Sequence, residues 1–510
     1  MSSLVQSVDW LAIAPPVIAA ATALIVLVAD LFVPDHRKPA LGWTAVAGLA
    51  AAVVMLLPLR RGNRSTFCLT TDHGACSYTA DHFTLAIQLL VLGGALLTAL
   101  LSMSETGGDR LPAGEFWFLL LSSASGAALL PASRDLATLV VALEVASLPA
   151  FALVGLKRGN RLSSEAALKF FLSSVTATAV TLLGVSFVYA ATGTLHLNRI
   201  ATAQVAPQLD TLAEAGVVLT LVGFAFKTAA APFHFWVPDT YTGAPLPIAA
   251  YLSVIGKAVG FSGLVLVTVV AFPGYADIWG PAIAVLAALT MTAGNTAALR
   301  QQATRAHSAV RLLAWSSIGQ AGYLLVPISA AGYTSDREIG STVAYALMYA
   351  VVNLGAFATV ALVARSRPGK RLSDYRGLYA ERPLTALALA FFLLCLAGLP
   401  PGIIGLFAKV TVFQSAVDAG LGWLAAVMAV NVVLGLSYYL RWIAVLFRAP
   451  QPAAPRTGTA ATAPDGGTTA GTTARIPVPI TLTVALAAAA GAVLSVAPQL
   501  VLHFASGSLF

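Results

Sequence analysis

The 510-residue chain is 58% hydrophobic, has a mean hydropathy of +0.84, and carries charge on only 10% of its residues. Soluble domains carry roughly 25% charged residues, so this composition excludes a soluble enzyme and calls for an all-α polytopic membrane protein in the lipid bilayer. The formal net charge of +8 is spread over short loops rather than gathered in one basic patch, which argues against a nucleic-acid partner.

The first residues, MSSLVQSVDWLAIAPP, lack a basic stretch and run directly into an apolar segment long enough to span. No cleavable signal peptide is therefore expected. About twenty apolar residues cross the hydrocarbon core. On that ruler the chain holds fourteen segments, at 14–33, 41–59, 82–103, 115–131, 135–156, 164–190, 211–231, 245–271, 278–299, 310–330, 339–364, 383–415, 420–447 and 478–503. The twelfth is interrupted by Pro400 and Pro401, and the seventh runs up to Pro232. Proline removes a backbone donor and clashes with the preceding turn, so both helices are expected to break.

Lys and Arg in loops set orientation. The loops after odd-numbered segments, with Arg311 and Arg441 of the adjoining helix ends, hold nineteen of them and those after even-numbered segments six. That bias places the odd loops in the cytoplasm and both termini outside. The outer loop 60–80 contains Cys68 and Cys76, which could pair in an oxidising compartment or remain free thiols. With Cys395 they show no metal-ligand spacing. Residues 449–476 are rich in Ala, Thr, Pro and Gly. They read as a disordered linker, because such a composition cannot bury a core.

Four of the seven lysines fall inside predicted spans: Lys169, Lys227, Lys257 and Lys409. Glu144, in VVALEVASLPAF, is the one carboxylate deep inside a span. Lys257 lies twelve residues into its segment, roughly 18 Å at 1.5 Å per residue. Its side chain is too short to snorkel back to water from there. Lys169 is only a few residues in, and for it snorkelling is a real alternative. Intramembrane charges are costly and functional by default. A lysine's proton affinity falls on desolvation and recovers beside a carboxylate. Glu144 and Lys227 are therefore expected to form a proton-loading pair, relayed by Lys169, with Lys257 as a central station and Lys409 as an exit group. A static ion pair that only fixes helix packing is the structural alternative.

The stretch GFAFKTAAAPFHFWVPDTYTGAPLPIAAYLSVIGK, residues 223–257, also holds His234 and Asp239. His234 reads as structural at a helix end, and His307 as a solvated loop residue. Tyr345, Tyr349 and Asn353 recur at helical spacing and read as packing. Lys227 before Pro232, and Lys409 after Pro400-Pro401, stand five segments apart. Five is odd, so the two units are expected to be inverted repeats, a pointer to a transport site. The resulting division is 1–110 for the first three helices, 111–271 and 272–448 for the two repeats, 449–476 for the linker and 477–510 for the last helix.

No nucleotide fingerprint, P-loop or Cys/His cluster is present, so no cofactor or metal is expected in this chain. FKTAAAPFHFWVPDTYTGAPLPI, RLLAWSSIGQAGY and LSDYRGL carry a resemblance that extends over nearly the whole chain. The chain resembles the antiporter-like membrane subunits of respiratory complex I, the bacterial NADH–quinone oxidoreductase. Lys409, where one sister branch has glutamate, and the modest length, where another has a lateral-helix extension, favour the third branch. The resemblance implies fourteen helices with two inverted five-helix repeats, helices 7 and 12 broken. It implies that Glu144, Lys169, Lys227, Lys257 and Lys409 match the family's motif residues for proton translocation. It also implies neighbouring antiporter-like and small membrane subunits as partners, a bacterial inner membrane as the location, and NAD, FMN, iron–sulfur clusters and quinone in partner subunits. One departure stands out: the family's histidine in its SSIxHxGY stretch is Gln320 here. Glutamine cannot carry a proton as an imidazolium. The rivals are a subunit of an Mrp-type cation/proton antiporter, a membrane-bound hydrogenase subunit and a structural scaffold.

Overall fold

A computed structural model describes residues 8–69, 72–106, 111–449, 477–506 and 509–510. All but the first residue of the linker expected at 449–476 lies outside the described residues. Helices occupy every predicted segment, and twelve of them are long and apolar enough by themselves to cross a membrane. The chain is thus a multi-pass helical membrane protein. The long helices are α1 (Trp10–Asp30), α2 (Pro39–Val54), α3 (His82–Ser102), α4 (Ala113–Leu129), α5 (Leu136–Gly155), α6 (Arg161–Thr192) and α7 (Asp210–Thr228). A short α8 (Val237–Gly243) leads into the 26-residue α9 (Leu246–Ala271). Then follow α10 (Ala276–Leu299), α11 (Ser308–Ala331), α12 (Ile339–Ala364), α13 (Pro383–Ala397), α14 (Ile403–Asp418), α15 (Gly422–Leu446), α16 (Val478–Val496) and α17 (Gln499–Ser506).

Local chemistry sets the helix starts. Asp9, Asp81, Asp135 and Asn160 each accept from backbone N–H groups of the turn that follows, which satisfies donors left orphaned at a helix N-terminus. Glycines set the closest crossings. A Cβ on Gly184 would lie 2.4 Å from Thr220 N, and one on Gly294 would lie 2.2 Å from Gly319 N. Such backbone-to-backbone contact is how helices associate where burial of apolar surface gives no net drive.

The outer loop predicted at 60–80 is instead a two-stranded antiparallel hairpin, β1 (Arg64–Leu69) and β2 (Asp72–Ala80). Cys68 and Cys76 face each other across it and are disulfide-bonded. The hairpin gathers one face of the molecule. Asp9 N donates to Thr66 Oγ1 at 3.0 Å and Arg64 Nε to Asp9 Oδ2 at 2.7 Å. Tyr78 donates to Ala12 O at 3.0 Å. Arg134 is ion-paired with Asp81, and its N–H donates to Ser77 O at 2.9 Å. Just past the hairpin, Phe83 N donates to Leu509 O at 3.1 Å. The two ends of the described chain therefore share the hairpin face.

The opposite face is the basic one. There His307 N donates to Gly369 O, Ala309 N to Lys370 O and Leu372 N to Ser308 Oγ, all within 3.0 Å. His307 is half-buried in this seam, not the solvated residue expected. Burial pushes its imidazole down from the usual range, and the neighbouring Lys370, Lys157 and Arg311 add to the effect.

Candidate functional site

The break after α7 is built by capping. Ala229 adopts a left-handed conformation, at φ 67°, and its N–H and that of Ala230 turn back to Phe226 O and Ala225 O. Trp236 Nε1 also donates to Phe226 O, at 3.2 Å. Thr290 Oγ1 accepts from Ala231 N at 2.8 Å. The end of α7 rests directly on α9, where a Cβ on Gly260 would lie 2.3 Å from Thr228 N.

Lys227 sits in the last turn of α7 and is 3% exposed. Its ammonium stands 5.0 Å from the centroid of Phe170 and 5.3 Å from that of Phe151, so aromatic faces supply its attraction. Its Nζ has no hydrogen-bond partner among the described residues. The expected Glu144–Lys227 contact pair is not formed. Glu144 is half-buried on α5, and its Oε1 accepts from Thr178 Oγ1 of α6 at 2.6 Å. Sequence reasoning missed Thr178, since one threonine in a Ser/Thr-rich helix carries no signal of its own.

Lys169 does not relay between them. Its side chain is 48% exposed and pairs with Glu165 at 2.8 Å and Asp239 at 3.0 Å. Asp239 in turn binds Arg311 at 2.6 Å. These charges line a cavity of about 250 Å³ on the basic face, together with Arg305 and Thr242. Snorkelling is the outcome for Lys169.

Lys257 is 2% exposed, and its Nζ has no partner among the described residues. It follows a π-helical turn, Leu252–Gly256, a distortion that collects at functional sites. Within that turn Ser253 O accepts from Tyr349 OH at 3.3 Å, and Ser253 Oγ accepts from Asn353 Nδ2 at 2.6 Å. Tyr349 and Asn353 are thus polar partners of the Lys257 helix, not the packing residues expected.

The second break lies between α13 and α14. Lys409 reaches back across it to donate to Leu396 O at 2.8 Å and Ala397 O at 2.7 Å, with its ammonium 5.9 Å from the Tyr323 ring centroid. Gln320 accepts from Tyr345 OH and donates to Tyr439 OH, the latter at 3.2 Å. Tyr439 also bonds Ser316, and Tyr438 donates to Asn295 Oδ1 at 2.9 Å. Two buried amines, a half-buried third at Lys409, and a set of hydroxyls and amides therefore occupy the interior. Amines can hold and release protons and hydroxyls can pass them, and no His/Cys/Asp/Glu cluster suited to a metal occurs among the described residues.

Residues 133–435 match the family described as NADH:quinone oxidoreductase/Mrp antiporter, TM. A Streptomyces griseus protein named NADH-quinone oxidoreductase subunit N 2 is 75% identical over 510 residues, which is 100% of this chain and 95% of that protein. A solved chain of respiratory complex I from Thermus thermophilus is 31% identical, with a TM-score of 0.75 over 97% of this chain and 100% of that chain. A chain of the Mrp complex from Dietzia sp. DQ12-45-1b superposes with a TM-score of 0.78 over 97% of this chain and 96% of its own, at 21% identity. That last likeness is one of fold alone.

Proposed function

Since the chain belongs to the NADH:quinone oxidoreductase/Mrp antiporter transmembrane family, we propose that it is the proton-translocating subunit N of a NADH–quinone oxidoreductase. In this reading it lies among other membrane subunits of that complex and carries no redox chemistry. NADH oxidation and quinone reduction, with FMN and iron–sulfur clusters, belong to partner subunits, and turnover there drives proton movement here. The Mrp antiporter alternative is not favoured, because the 75% identity is to a subunit N and the Mrp likeness is distant.

One observation carries the reading. Lys227 and Lys257 are buried amines with no hydrogen-bond partner among the described residues, a state too costly for mere packing and suited to groups that gain and lose a proton. Glu144 stands one helix away from Lys227, held by Thr178. A swing of its carboxylate towards Lys227 would load that amine, and a return to Thr178 would unload it. Lys257 then passes the proton towards Lys409, with Lys169 at the cytoplasmic mouth beside Asp239. We further read 111–271 and 272–448 as two inverted units, the hairpin face as the outer side and the basic face as cytoplasmic. The loop charge bias supports that orientation, as does a disulfide on the hairpin.

The test is the complete complex in sealed vesicles with Lys227→Ala or Glu144→Ala. Proton pumping and quinone reductase activity are expected to fall together. Intact turnover with normal proton stoichiometry in both variants would remove the hypothesis.

A further inference from the structure

We propose that Tyr349, together with one water held against Lys409, links the Lys257 side of the interior to Lys409, and that Gln320 is kept out of that link. This rests on the proton-translocating reading above and names the connection that the reading leaves open.

No direct bond joins the two sides. Between them lies a small cavity lined by Gln320, Tyr345, Tyr349 and Lys409, closed by Cys395 and Gly405 among others. Its volume of about 20 Å³ is room for about one water, which needs roughly 10–15 Å³ and at least two polar partners. Two of the lining residues carry hydroxyls. Tyr345 commits its O–H to Gln320 Oε1. Tyr349 makes a long bond, 3.3 Å, to Ser253 O within the π-helical turn that precedes Lys257, with the Ser317 hydroxyl as a second neighbour. Its oxygen keeps lone pairs free to accept from a water, and its hydroxyl can turn from that weak bond. Lys409 has three N–H donors and uses two, on Leu396 O and Ala397 O. The third position is left for the same water, as a lone pair that takes the proton when the amine is neutral and as an N–H once it is an ammonium.

Gln320 is tied at both ends, with its oxygen taken by Tyr345 and its NH₂ donating to Tyr439. An amide so held neither gains nor gives up a proton. The imidazole that the family resemblance expects at this position would do both. In this chain the hydroxyl of Tyr349 takes over that office. In each transfer one N–H or O–H bond breaks and another forms. Lys257 ends as a neutral amine and Lys409 as an ammonium, while Tyr349 and the water end as they began, each having taken one proton and given one.

The experiment uses the complete complex in sealed vesicles and records the rates of proton uptake and of NADH oxidation side by side for Tyr349→Phe, for Gln320→His, for the two combined, and for Lys227→Ala. Tyr349→Phe keeps the ring and removes the hydroxyl, and is expected to lose proton uptake. Adding Gln320→His is expected to restore it, since an imidazole on the same cavity wall supplies the missing carrier. A merely structural role for the hydroxyl predicts no such rescue. Should Tyr349→Phe fail to assemble, Val352→Leu serves instead: it pushes a methylene into the cavity, displaces the water and is expected to give the same loss. Normal uptake in the assembled hydroxyl-less or cavity-filled variant overturns the proposal, as does a Tyr349→Phe loss that Gln320→His leaves unrelieved. Lys227→Ala separates the failures. If it abolishes uptake while Tyr349→Phe is normal, the translocating reading stands and the link falls. If Lys227→Ala itself is normal, the reading falls.

Discussion

The two helix breaks each carry a lysine, yet they use it in opposite ways. At the first, Lys227 precedes the break in the last turn of α7, and its amine has no hydrogen-bond partner. At the second, Lys409 follows the break by two turns of α14, and its amine holds Leu396 O and Ala397 O. Side chains on a helix lean towards its N-terminus. Lys227 therefore leans back over Phe170 and Phe151, away from the break it precedes, while Lys409 leans into the break it follows. The carbonyl end of α7 is served instead by Ala229 N and Ala230 N, with the Trp236 indole N–H as a second donor to Phe226 O. The end of α7 thus closes without Lys227, whereas Lys409 both closes a helix end and lines the cavity.

The largest effect that would sharpen this comparison lies at the glycines that weld each break. A Cβ on Gly405 would stand 1.6 Å from Cys395 O, against 2.3 Å from Thr228 N for one on Gly260. Both neighbours are backbone, and the second break has less room to give. Gly405→Ala is expected to prevent accumulation of the assembled complex. Gly260→Ala is expected to assemble with lowered stability, by about 1–3 kcal/mol as overpacking usually costs. Yields of purified complex compare them; equal yields would mean that the breaks are equally pliant.

Next in size is the contrast between the lysines themselves. Lys409→Met leaves two carbonyls without donors, at about 1–3 kcal/mol each. Lys227→Met removes an amine that bonds to nothing. Thermal melting of the complex should fall clearly for the first and hold or rise for the second. If both melt alike, Lys409 is not a cap. Trp236→Phe should come third. It keeps the stack on Phe170, now at 4.3 Å, but removes one of the two donors to Phe226 O, leaving Ala229 N, for about 0.5–1.5 kcal/mol. Lys227 is then the nearest amine able to compensate, so pumping should fall along with melting temperature. Lowered melting with unchanged pumping would show that the tryptophan is only structural.

Much of this was legible in the sequence, and the omissions have physical reasons. Long apolar runs separated by prolines and basic loops give the helices, because length and hydropathy alone decide what can cross a bilayer. Lys227, Lys257 and Lys409 were found because a lysine inside an apolar run is anomalous wherever its helix rotates. Rotation and depth were not legible. Whether Glu144 turns to Lys227 or to Thr178 depends on the azimuth of α5, which one carboxylate does not fix. Lys169 lies eight residues into α6, roughly 12 Å from its start, where a few residues of boundary error decide between membrane and water. Tyr345 and Tyr349 showed helical spacing, but Tyr439 and Ser253, their partners' and their own contacts, lie about a hundred residues away in sequence. The hairpin escaped because its strands were too short and polar to separate from an ordinary loop.

The smallest predicted effect comes from a lysine buried outside the bilayer, and it separates burial from function. Lys370 sits in the seam of the basic face, where burial pushes its amine down to about 8 from the ordinary 10.5; Lys157 adds to this and Glu105 opposes it. The folded pKa is the lower one, so the unfolded chain holds the extra proton between those two values. The cost is then fully present below about pH 8 and is relieved as pH rises towards about 10.5. Lys370→Met removes a group that must be buried charged or give up its proton. The melting temperature of the native complex should therefore gain on that of the variant as pH is raised through this window, with proton pumping unchanged between them at neutral pH. Lys370 lies in a loop of the basic face, whereas Lys409 lines the cavity beside Tyr349, whose hydroxyl bonds the turn that precedes Lys257. A pumping defect in Lys370→Met would show that burial of a lysine is by itself enough to matter here, and the contrast between the two breaks would lose its functional meaning.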